Sequence, residues 1–440
     1  MDSIGNNLKL TVSPGFIYLF LQQFELSLSP ALCSCLDMSR TAKLTVEDLI
    51  DFFRGSIVPP SENHVGAEYE IFCLNKESFT RLGYDGSPGI KKILEFLLGQ
   101  SGGRPIKEAD KIVGLEHEDF TISIEPGGQL EASFSPCRAI RELAEKLSNY
   151  RKLLKEAESL GVIFIAFGVD PINPFEAVPW MPKKRYQIMR RYWAKKPGLS
   201  LYMMKQTAAI QVSIDYNSEE DAIRKLRNAI ILSNALTPFC GNSSIYDATY
   251  RYTNNFRKQF WCGTDKERSG IPAGCAKPIG SFVDYVDYAL NIPIIFLYRD
   301  GRYHELAERV TFRQFLTEGY HGFFPVLKDW LLHLNTIFSL VRFNNTTLEI
   351  RPFDSNRPEM LLAIAALVKG LFYNNRLYNP LISPGELAEK AREGLPEEDR
   401  IYLDPLKLLL REGETCGDRA YRIFRQRGGI TSLIDWLKIG

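Results

Sequence analysis

Residues 121–134 read Thr-Ile-Ser-Ile-Glu-Pro-Gly-Gly-Gln-Leu-Glu-Ala-Ser-Phe, and this stretch guides the interpretation of the whole chain. Apolar and polar residues alternate on both sides of the Pro-Gly-Gly sequence at 126–128, which is the pattern of two β-strands joined by a turn. Successive side chains of a strand point to opposite faces, so the predicted hairpin has one apolar and one polar face. The polar face carries Glu125, Gln129 and Glu131.

Three other segments share this design, with apolar residues on one face and acidic, amide or Arg residues two positions apart on the other. They are residues 65–72 with Glu68 and Glu70, residues 207–216 with Gln211 and Ser213, and residues 347–351 with Glu349 and Arg351. When a single strand has such a polar face, that face is more often exposed to solvent than part of a binding or catalytic site. Four of them, beside strongly apolar helices, predict a sheet whose polar faces converge on a common cavity.

Helical patterns separate these strands and give the chain an α+β character. Thr45 is followed by Asp48 and an apolar run, which is the signature of a capped helix. The Ser-Pro pair at 135–136 predicts the start of a long helix that continues to about residue 160, with apolar residues at helical spacing. From residue 358 onward the pattern is mostly helical.

We predict three parts along the 440 residues. Residues 1–42 form an N-terminal extension of unknown role: a weak targeting segment, a docked segment, or a stretch upstream of a true start at Met38. Residues 43–375 form one catalytic domain, because the strand motifs are spread too widely for separable modules. Residues 376–440 form a helical C-terminal region packed on the same unit.

The composition excludes several classes of partner. The formal net charge is +1 and there is no basic block, so neither nucleic acid nor a membrane surface is an expected partner. The apolar runs between residues 16 and 36 are too short to span a bilayer. The eight Cys match neither a zinc site nor a dense disulfide framework, so we expect a cytoplasmic protein. Whether it is a monomer or a homodimer stays open.

The chemistry of the predicted cavity favours a metal-bound nucleotide. Glu side chains packed together repel one another, and a bound cation removes this repulsion. Oxygen ligands alone select a hard ion, Mg²⁺ or Mn²⁺, over Zn²⁺. The sequence has no P-loop, no dinucleotide fingerprint and no nucleophile elbow, so the nucleotide would be held through its phosphates and metal ions. Arg257, Arg268 and Arg351 are candidates to bind anionic groups.

Several motifs together resemble the plant-type glutamate–cysteine ligases, which many bacteria share. They are Glu-Pro-Gly-Gly-Gln-Leu-Glu at 125–131, Gly-Ala-Glu-Tyr-Glu at 66–70 and Leu-Glu-Ile-Arg at 348–351, followed in order by Met-Pro-Lys-Lys-Arg-Tyr at 181–186, Gln-Val-Ser-Ile-Asp-Tyr at 211–216 and Trp-Cys-Gly-Thr-Asp-Lys-Glu-Arg at 261–268. The resemblance covers roughly residues 44 to 375. The first motif is fairly specific by itself, and the order of the others strengthens it.

The resemblance implies a carboxylate–amine ligase of the glutamine-synthetase-like superfamily. The expected fold is α+β, with a curved, mainly antiparallel sheet that forms a funnel-shaped active site and with helices packed outside. The implied reaction joins L-glutamate to L-cysteine at the expense of ATP, through γ-glutamyl phosphate. The products are γ-glutamylcysteine, ADP and phosphate, and the reaction is the first step of glutathione biosynthesis.

The resemblance also implies roles for individual residues. The metal ligands would be Glu68, Glu70, Glu125, Glu131 and Glu349, and the ATP-binding residues would be Gln129, Gln211 and Arg351. Arg257 and Arg268 would be catalytic and would hold the glutamate α-carboxylate or the transferred phosphoryl group. Lys183 and Arg185 would help to bind the substrate.

The sequence departs from the family pattern at several places, and one of them leaves the acceptor amine open. Ser213 stands where relatives have Asn, and Lys184 stands where they have Gly. Residues 242–256 do not align with the family, which puts the cysteine pocket in doubt. The alternatives are a supply of γ-glutamylcysteine for ergothioneine, or the ligation of glutamate to another amine. A non-catalytic binding protein or a metal-dependent hydrolase are hypotheses of other classes.

Overall fold

The computed structural model describes residues 43–270, 279–378, 381–426 and 429–439. The predicted N-terminal extension at residues 1–42 therefore lies outside the described residues. No helix in the described ranges is both long and apolar enough to cross a membrane.

Strands of two to eleven residues are spread over the first four fifths of the chain. They are β1 Val65–Asn75, β2 Arg104–Glu108, β3 Lys111–Glu116, β4 Phe120–Ile124, β5 Leu130–Cys137, β6 Val162–Ile165, β7 Ala209–Ile214, β8 Ile245–Tyr246, β9 Thr249–Tyr250, β10 Ser269–Gly270, β11 Phe296–Arg299, β12 Arg302–Glu305, β13 Phe338–Ser339, β14 Val341–Asn344 and β15 Thr347–Asp354.

One large antiparallel sheet is the centre of the molecule. Its strand order is β14-β15-β7-β1-β5-β4-β3-β2, and β6 is a further partner of β1. The first part of β1 lies between β5 and β7, whereas its last residues pair with β6. The mainly antiparallel α+β prediction is thus confirmed. The funnel shape stays a prediction.

Helices are interleaved with the strands and dominate the last eighty residues. They are α1 Val46–Arg54, α2 Ile90–Ser101, α3 Ile140–Ala157, α4 Lys184–Ala194, α5 Ser200–Gln206, α6 Glu219–Cys240, α7 Arg257–Cys262, α8 Phe282–Leu290, α9 Phe312–Glu318, α10 Leu327–Leu334, α11 Pro358–Phe372, α12 Pro384–Gly394, α13 Asp404–Glu412, α14 Cys416–Gln426 and α15 Ile430–Leu437.

The helix after the first hairpin begins later than the sequence predicts. The Ser-Pro pair at 135–136 still belongs to β5, and the helix α3 starts only at Ile140. The reason is that β5 continues to pair with β1 as far as the Val65–Cys137 contact. Sheet pairing outweighs the local preference of Ser-Pro for a helix start.

Helices cover the apolar side of the sheet. α11 packs on β1 and β7, and α3 packs on β5. Tyr69, on the apolar face of β1, is fully buried, and its hydroxyl donates to the Asn356 carbonyl just before α11 (2.6 Å). The polar side chains of β1 therefore project from the opposite face, toward the predicted cavity.

The helical C-terminal region contacts this core at several points. α12 and α13 pack against α11, and the chain returns to the sheet near its end. The amide of Ile439 donates to the Phe164 carbonyl, and the amide of Ala166 donates to the Leu437 carbonyl, both at 3.2 Å. Residues 437–439 thus lie along the free edge of β6. The division at residue 375 stays a prediction.

Candidate active site

Four neighbouring strands, β15, β7, β1 and β5, bring the predicted acids to one face of the sheet. Residues directly opposite each other in an antiparallel pair point to the same face. Glu70 lies opposite Glu131, and Glu68 lies opposite Gln211. Glu349 lies on β15, which is the next strand beyond β7. The pairing register therefore gathers residues that are far apart in the sequence.

This face opens onto a cavity of about 180 Å³, which we call the acidic cavity. Eight of the twelve predicted site residues line it: Glu68, Glu70, Glu125, Gln129, Glu131, Arg185, Gln211 and Arg351. The other four, Lys183, Arg257, Arg268 and Glu349, are buried side chains that do not belong to its lining.

Three acids of the cavity, Glu68, Glu70 and Glu131, have raised pKa values. Burial raises the pKa of Glu68 well above its usual range, and the carboxylates of Glu131 and Glu349 raise it further. Burial and the nearby carboxylates of Glu131 and Glu125 do the same to the pKa of Glu70. The pKa of Glu131 is raised to about 7, chiefly by burial and then by Glu125. A cation in the cavity would relieve this repulsion.

The carboxylates also accept hydrogen bonds that fix their orientation. Glu70 accepts from the side-chain amide of Gln211 and from the backbone amide of Ala209, both at 2.9 Å. Glu125 accepts from the Tyr186 hydroxyl at 3.1 Å. The acids are therefore held by neighbouring strands and by α4.

Glu349 is paired with two guanidinium groups. Arg342 Nε donates to Glu349 Oε2 at 2.8 Å, and Arg342 Nη2 lies 3.2 Å from Oε1. Arg351 donates to the same Oε1 and to the side-chain oxygen of Gln211. Burial by itself would raise the pKa of Glu349, but the two cations outweigh it and the pKa is lowered. Glu349 is thus charged and already satisfied by protein groups.

The turn after β4 positions Glu125 and Gln129. It is closed by hydrogen bonds of 2.8 Å from the Glu125 amide to the Gln129 carbonyl and from the Gly128 amide to the Glu125 carbonyl. Gly128 has φ 82°, which glycine adopts without strain. Gln129 Nε2 donates to the Thr207 carbonyl at 2.7 Å. A side chain at Gly127 would place its Cβ only 2.5 Å from the Lys205 carbonyl oxygen.

Two basic residues at the start of α4 lie beside this turn. Lys183 Nζ is buried and donates to the Ile124 carbonyl at 3.1 Å. Its pKa is lowered to about 7, first by burial and then by the charge of Arg185. The Arg185 Nε atom is buried and has no hydrogen-bond partner among the described residues. Arg185 therefore has capacity left to bind an anion in the acidic cavity.

Arg257 is buried next to the cavity rather than in its lining. Its guanidinium lies 5.1 Å from the ring centroid of Trp261, and its Nε atom has no partner within the described part of the chain. Burial lowers its pKa, against the opposing charges of Asp354 and Glu70. That Arg257 binds the glutamate α-carboxylate or the transferred phosphoryl group stays a prediction. The unpartnered Nε atom is compatible with it.

Arg268 has a different environment. It is fully buried, and its donors reach the Asp265 carboxylate at 3.3 Å, Thr336 at 3.1 Å and the Pro293 carbonyl at 2.7 Å. The side chain thereby ties its loop to the segment after α10 and to the segment before β11. A role with the substrate stays a prediction, and it would require Arg268 to exchange these partners.

The side chains of the acidic cavity are of the kind that binds a hard divalent cation, but they are not grouped as a metal site would require. Within the described ranges, no three His, Cys, Asp or Glu side chains are grouped closely enough to hold a metal ion. The cavity nevertheless contains four carboxylates whose shared burial raises the pKa of three of them. Oxygen donors of this kind suit Mg²⁺ or Mn²⁺.

Sequence reasoning predicted β15, with Glu349 and Arg351, as part of the site, but it missed β14 and the turn that joins the two strands. Arg342, Asn344 and Asn345 line the acidic cavity together with Asn335 and Thr336. The signal was present, because Val-Arg-Phe-Asn at 341–344 alternates like the other strands and is followed directly by β15. A two-residue turn between them completes the pattern of a hairpin.

Comparison with known proteins gives a consistent result. The profile of glutamate–cysteine ligase family 2 matches residues 64–383. The chloroplastic glutamate–cysteine ligase of Brassica juncea is 32% identical over 378 residues, which cover 85% of this chain and 72% of that protein. Its counterpart from Arabidopsis thaliana is 34% identical over 339 residues, or 76% and 64% of the two chains.

The similarity of the fold to solved structures is weaker than the similarity of the sequence to these relatives. The crystal structure of glutamate–cysteine ligase from Francisella tularensis in complex with AMP has a TM-score of 0.44 and 12% identity, covering 85% of this chain and 87% of that chain. A likeness at this level carries no argument about the site.

Proposed function

The chain belongs to glutamate–cysteine ligase family 2, and we propose that it joins L-glutamate to L-cysteine at the expense of ATP. The observation that carries the proposal is the acidic cavity, which is lined by four half-buried carboxylates and by three Arg side chains, Arg185, Arg342 and Arg351. This combination suits a triphosphate with its metal ions next to a carboxylate substrate. The product, γ-glutamylcysteine, is the precursor of glutathione.

The proposed reaction has two steps. A γ-carboxylate oxygen of glutamate attacks the γ-phosphorus of ATP, the bond to the leaving ADP oxygen breaks, and γ-glutamyl phosphate forms. The amino nitrogen of cysteine then attacks the activated carbonyl carbon and loses its proton, and the C–O bond to phosphate breaks. Both steps move negative charge, so fixed cations near the phosphoryl group lower their barriers.

The residues of the chain have separate tasks in this scheme. Arg185 and Arg351 line the cavity and are placed to bind the transferred phosphoryl group or the substrate carboxylate. Burial keeps water away from the acyl phosphate, which would otherwise hydrolyse. Arg257, next to Trp261, is our candidate for the α-carboxylate of glutamate.

We propose that Mg²⁺, with Mn²⁺ as an alternative, is held by Glu68, Glu70, Glu125 and Glu131. Glu349 would join these ligands only by exchanging its Arg partners. Once bound, the ion would neutralise phosphate oxygens and the charge of the transition state. We also propose a cytoplasmic location and a monomer or homodimer, which cell fractionation and light scattering would test.

The direct test is an assay with ATP, Mg²⁺, glutamate and cysteine that measures both phosphate release and γ-glutamylcysteine. We expect phosphate release to depend on cysteine. Release no greater than in its absence would refute the proposed acceptor. The same assay with a panel of other amines then separates a ligase of different specificity from a protein without ligase activity.

A further inference from the structure

The turn between β14 and β15 is buried, although loops generally run over the protein surface. Asn344 pairs with Thr347 at the end of the hairpin, so only Asn345 and Thr346 connect the strands. These two residues are 5% and 3% exposed. A buried turn must find partners for its polar groups, since each one left without a partner is costly.

Three consecutive side chains of this turn lack such partners. Asn344 Oδ1, Asn345 Oδ1 and Thr346 Oγ1 are buried and accept or donate no hydrogen bond within the described part of the protein. The next hydroxyl, that of Thr347, does have one, because it donates to the Asn344 carbonyl at 3.4 Å. Three adjacent buried polar groups without a protein partner favour a ligand-binding role for this turn over a chance defect of packing.

The two amides face the acidic cavity. Asn344 and Asn345 both belong to its lining, as do Glu68 and Phe338. Asn344 is two residues from Arg342 on β14, so the two side chains share the face on which Arg342 pairs with Glu349. A ligand that extends from the acids to the turn would therefore contact both Arg342 and Asn344.

The chemistry of the turn favours a neutral ligand group with donors and acceptors side by side. A carboxamide carries one acceptor oxygen and one donor nitrogen, and a hydroxyl can act as either. Asn binds adenine in this way, with paired hydrogen bonds to its amino group and a ring nitrogen. An ammonium or carboxylate group of an amino acid would instead call for a charged partner. Phe338 offers a ring on which a base can stack.

We infer that Asn344, Asn345 and Thr346 bind the adenine base of the nucleotide and set a preference for ATP over GTP. The inference rests on the proposed function only in taking ATP as a substrate. It assigns the acids to the triphosphate end of the nucleotide and the turn to its base. Guanine has a carbonyl oxygen in place of the adenine amino group, so the same hydrogen bonds cannot form.

The first test uses two isosteric substitutions at neighbouring positions. Thr346→Val removes a hydroxyl that has no protein partner, whereas Thr347→Val, the matched control, removes one that has a protein partner. Binding of a non-hydrolysable ATP analogue with Mg²⁺ is measured by calorimetry. We expect Thr346→Val to raise the Kd by about fivefold to tenfold, the effect of one lost hydrogen bond. Thr347→Val should leave the Kd unchanged.

The same variant offers a readout that a purely structural role would not give. Without nucleotide, Thr346→Val should have a higher Tm than the unaltered protein, because an unsatisfied buried hydroxyl has been replaced by an apolar group. A lower Tm would mean that the hydroxyl is already bonded inside the protein, and would overturn the inference.

A second variant addresses the choice of base. Asn345 has φ 55°, a conformation that glycine adopts freely, so Asn345→Gly removes the amide while keeping the turn. We expect the ratio of GTP to ATP dissociation constants to fall toward one. An unchanged ratio would overturn the inference, as would a higher KM for glutamate or cysteine with unchanged nucleotide binding. If the protein binds ATP but forms no γ-glutamylcysteine, the proposed function fails and the titrations still decide this inference.

Discussion

At the scale of single residues, Glu131 gives the most direct test of the cavity. Its pKa of about 7 means that it changes charge near neutral pH when no cation is present. We expect Glu131→Gln to lower ligase turnover by about 10²-fold or more, as is common when one electrostatic group of a site is lost. The fold should be kept, since the substitution removes a buried like-charge repulsion.

The matched control is Glu116→Gln on β3. Glu116 is also largely buried, but it pairs with Arg104 at 2.9 Å outside the acidic cavity. Turnover by Glu116→Gln should be close to that of the unaltered protein. Equal turnover by both variants would refute a catalytic or metal-binding role for Glu131.

Arg342 is expected to matter for stability as well as for the site. Arg342→Met would leave the Glu349 carboxylate buried with only Arg351 as its cation. Breaking a buried ion pair in this way costs about 3–5 kcal/mol of unfolding free energy. Urea denaturation should show this loss, and the double variant Arg342→Met with Glu349→Leu should recover part of it. An unchanged midpoint for the single variant would contradict the pairing.

Asp354 gives a prediction for the pH dependence of stability. Burial raises its pKa from 3.8 to about 6, despite the charge of Arg257 and a hydrogen bond from Ser243. The folded state therefore binds the proton more tightly than the unfolded state, and this contribution to stability is lost as the pH rises from about 4 to 6. We expect Asp354→Asn to flatten the fall in the unfolding free energy over that interval. A slope that is unchanged would refute the shift.

At the scale of elements, the turn between β4 and β5 has little freedom. In Gly127→Ala, the new Cβ would lie 2.5 Å from the Lys205 carbonyl oxygen and 2.9 Å from Gln129 Oε1, so the turn must move. We expect Gly127→Ala to lower the Tm. We also expect it to lower turnover, because Glu125 moves with the turn. Gly99→Ala in α2 is the control: it meets no atom within 4 Å and should add about 0.5–1 kcal/mol of stability.

The helices and strands also show which parts of the fold could be predicted from the sequence. Strands with a two-residue period were predictable wherever one face is apolar, as at Glu68 and Glu70, because burial of that face fixes the register. The start of α3 was not predictable, because it depends on the pairing of Cys137 with Val65, which lies about seventy residues earlier in the chain. The ion pair of Arg342 with Glu349 was missed for a different reason, because the alternating residues 341–344 were not recognised as the first strand of a hairpin with β15.

At the scale of the whole molecule, we propose that residues 43–375 and 376–440 unfold together. Residues 437–439 are bonded to the edge of β6, and Arg151 Nε donates to the Ile439 carbonyl at 3.0 Å. Ending the chain after Trp436 would leave that strand edge open, and we expect a lower Tm and more aggregation. A chain ending at Ile439 is the control. Separate transitions for the two parts in calorimetry would contradict the proposal.

The central position of β1 also has a consequence for synthesis. Tyr69 and Asn356, which are hydrogen-bonded to each other, are separated by 287 residues. At about 5–20 residues per second, a ribosome needs on the order of 15 to 60 s to travel between them. During that time the apolar face of β1, which α11 later covers, stays exposed to other nascent chains. Production of this protein should therefore depend on chaperones that shield β1, and should improve when translation is initiated rarely, so that few chains emerge together.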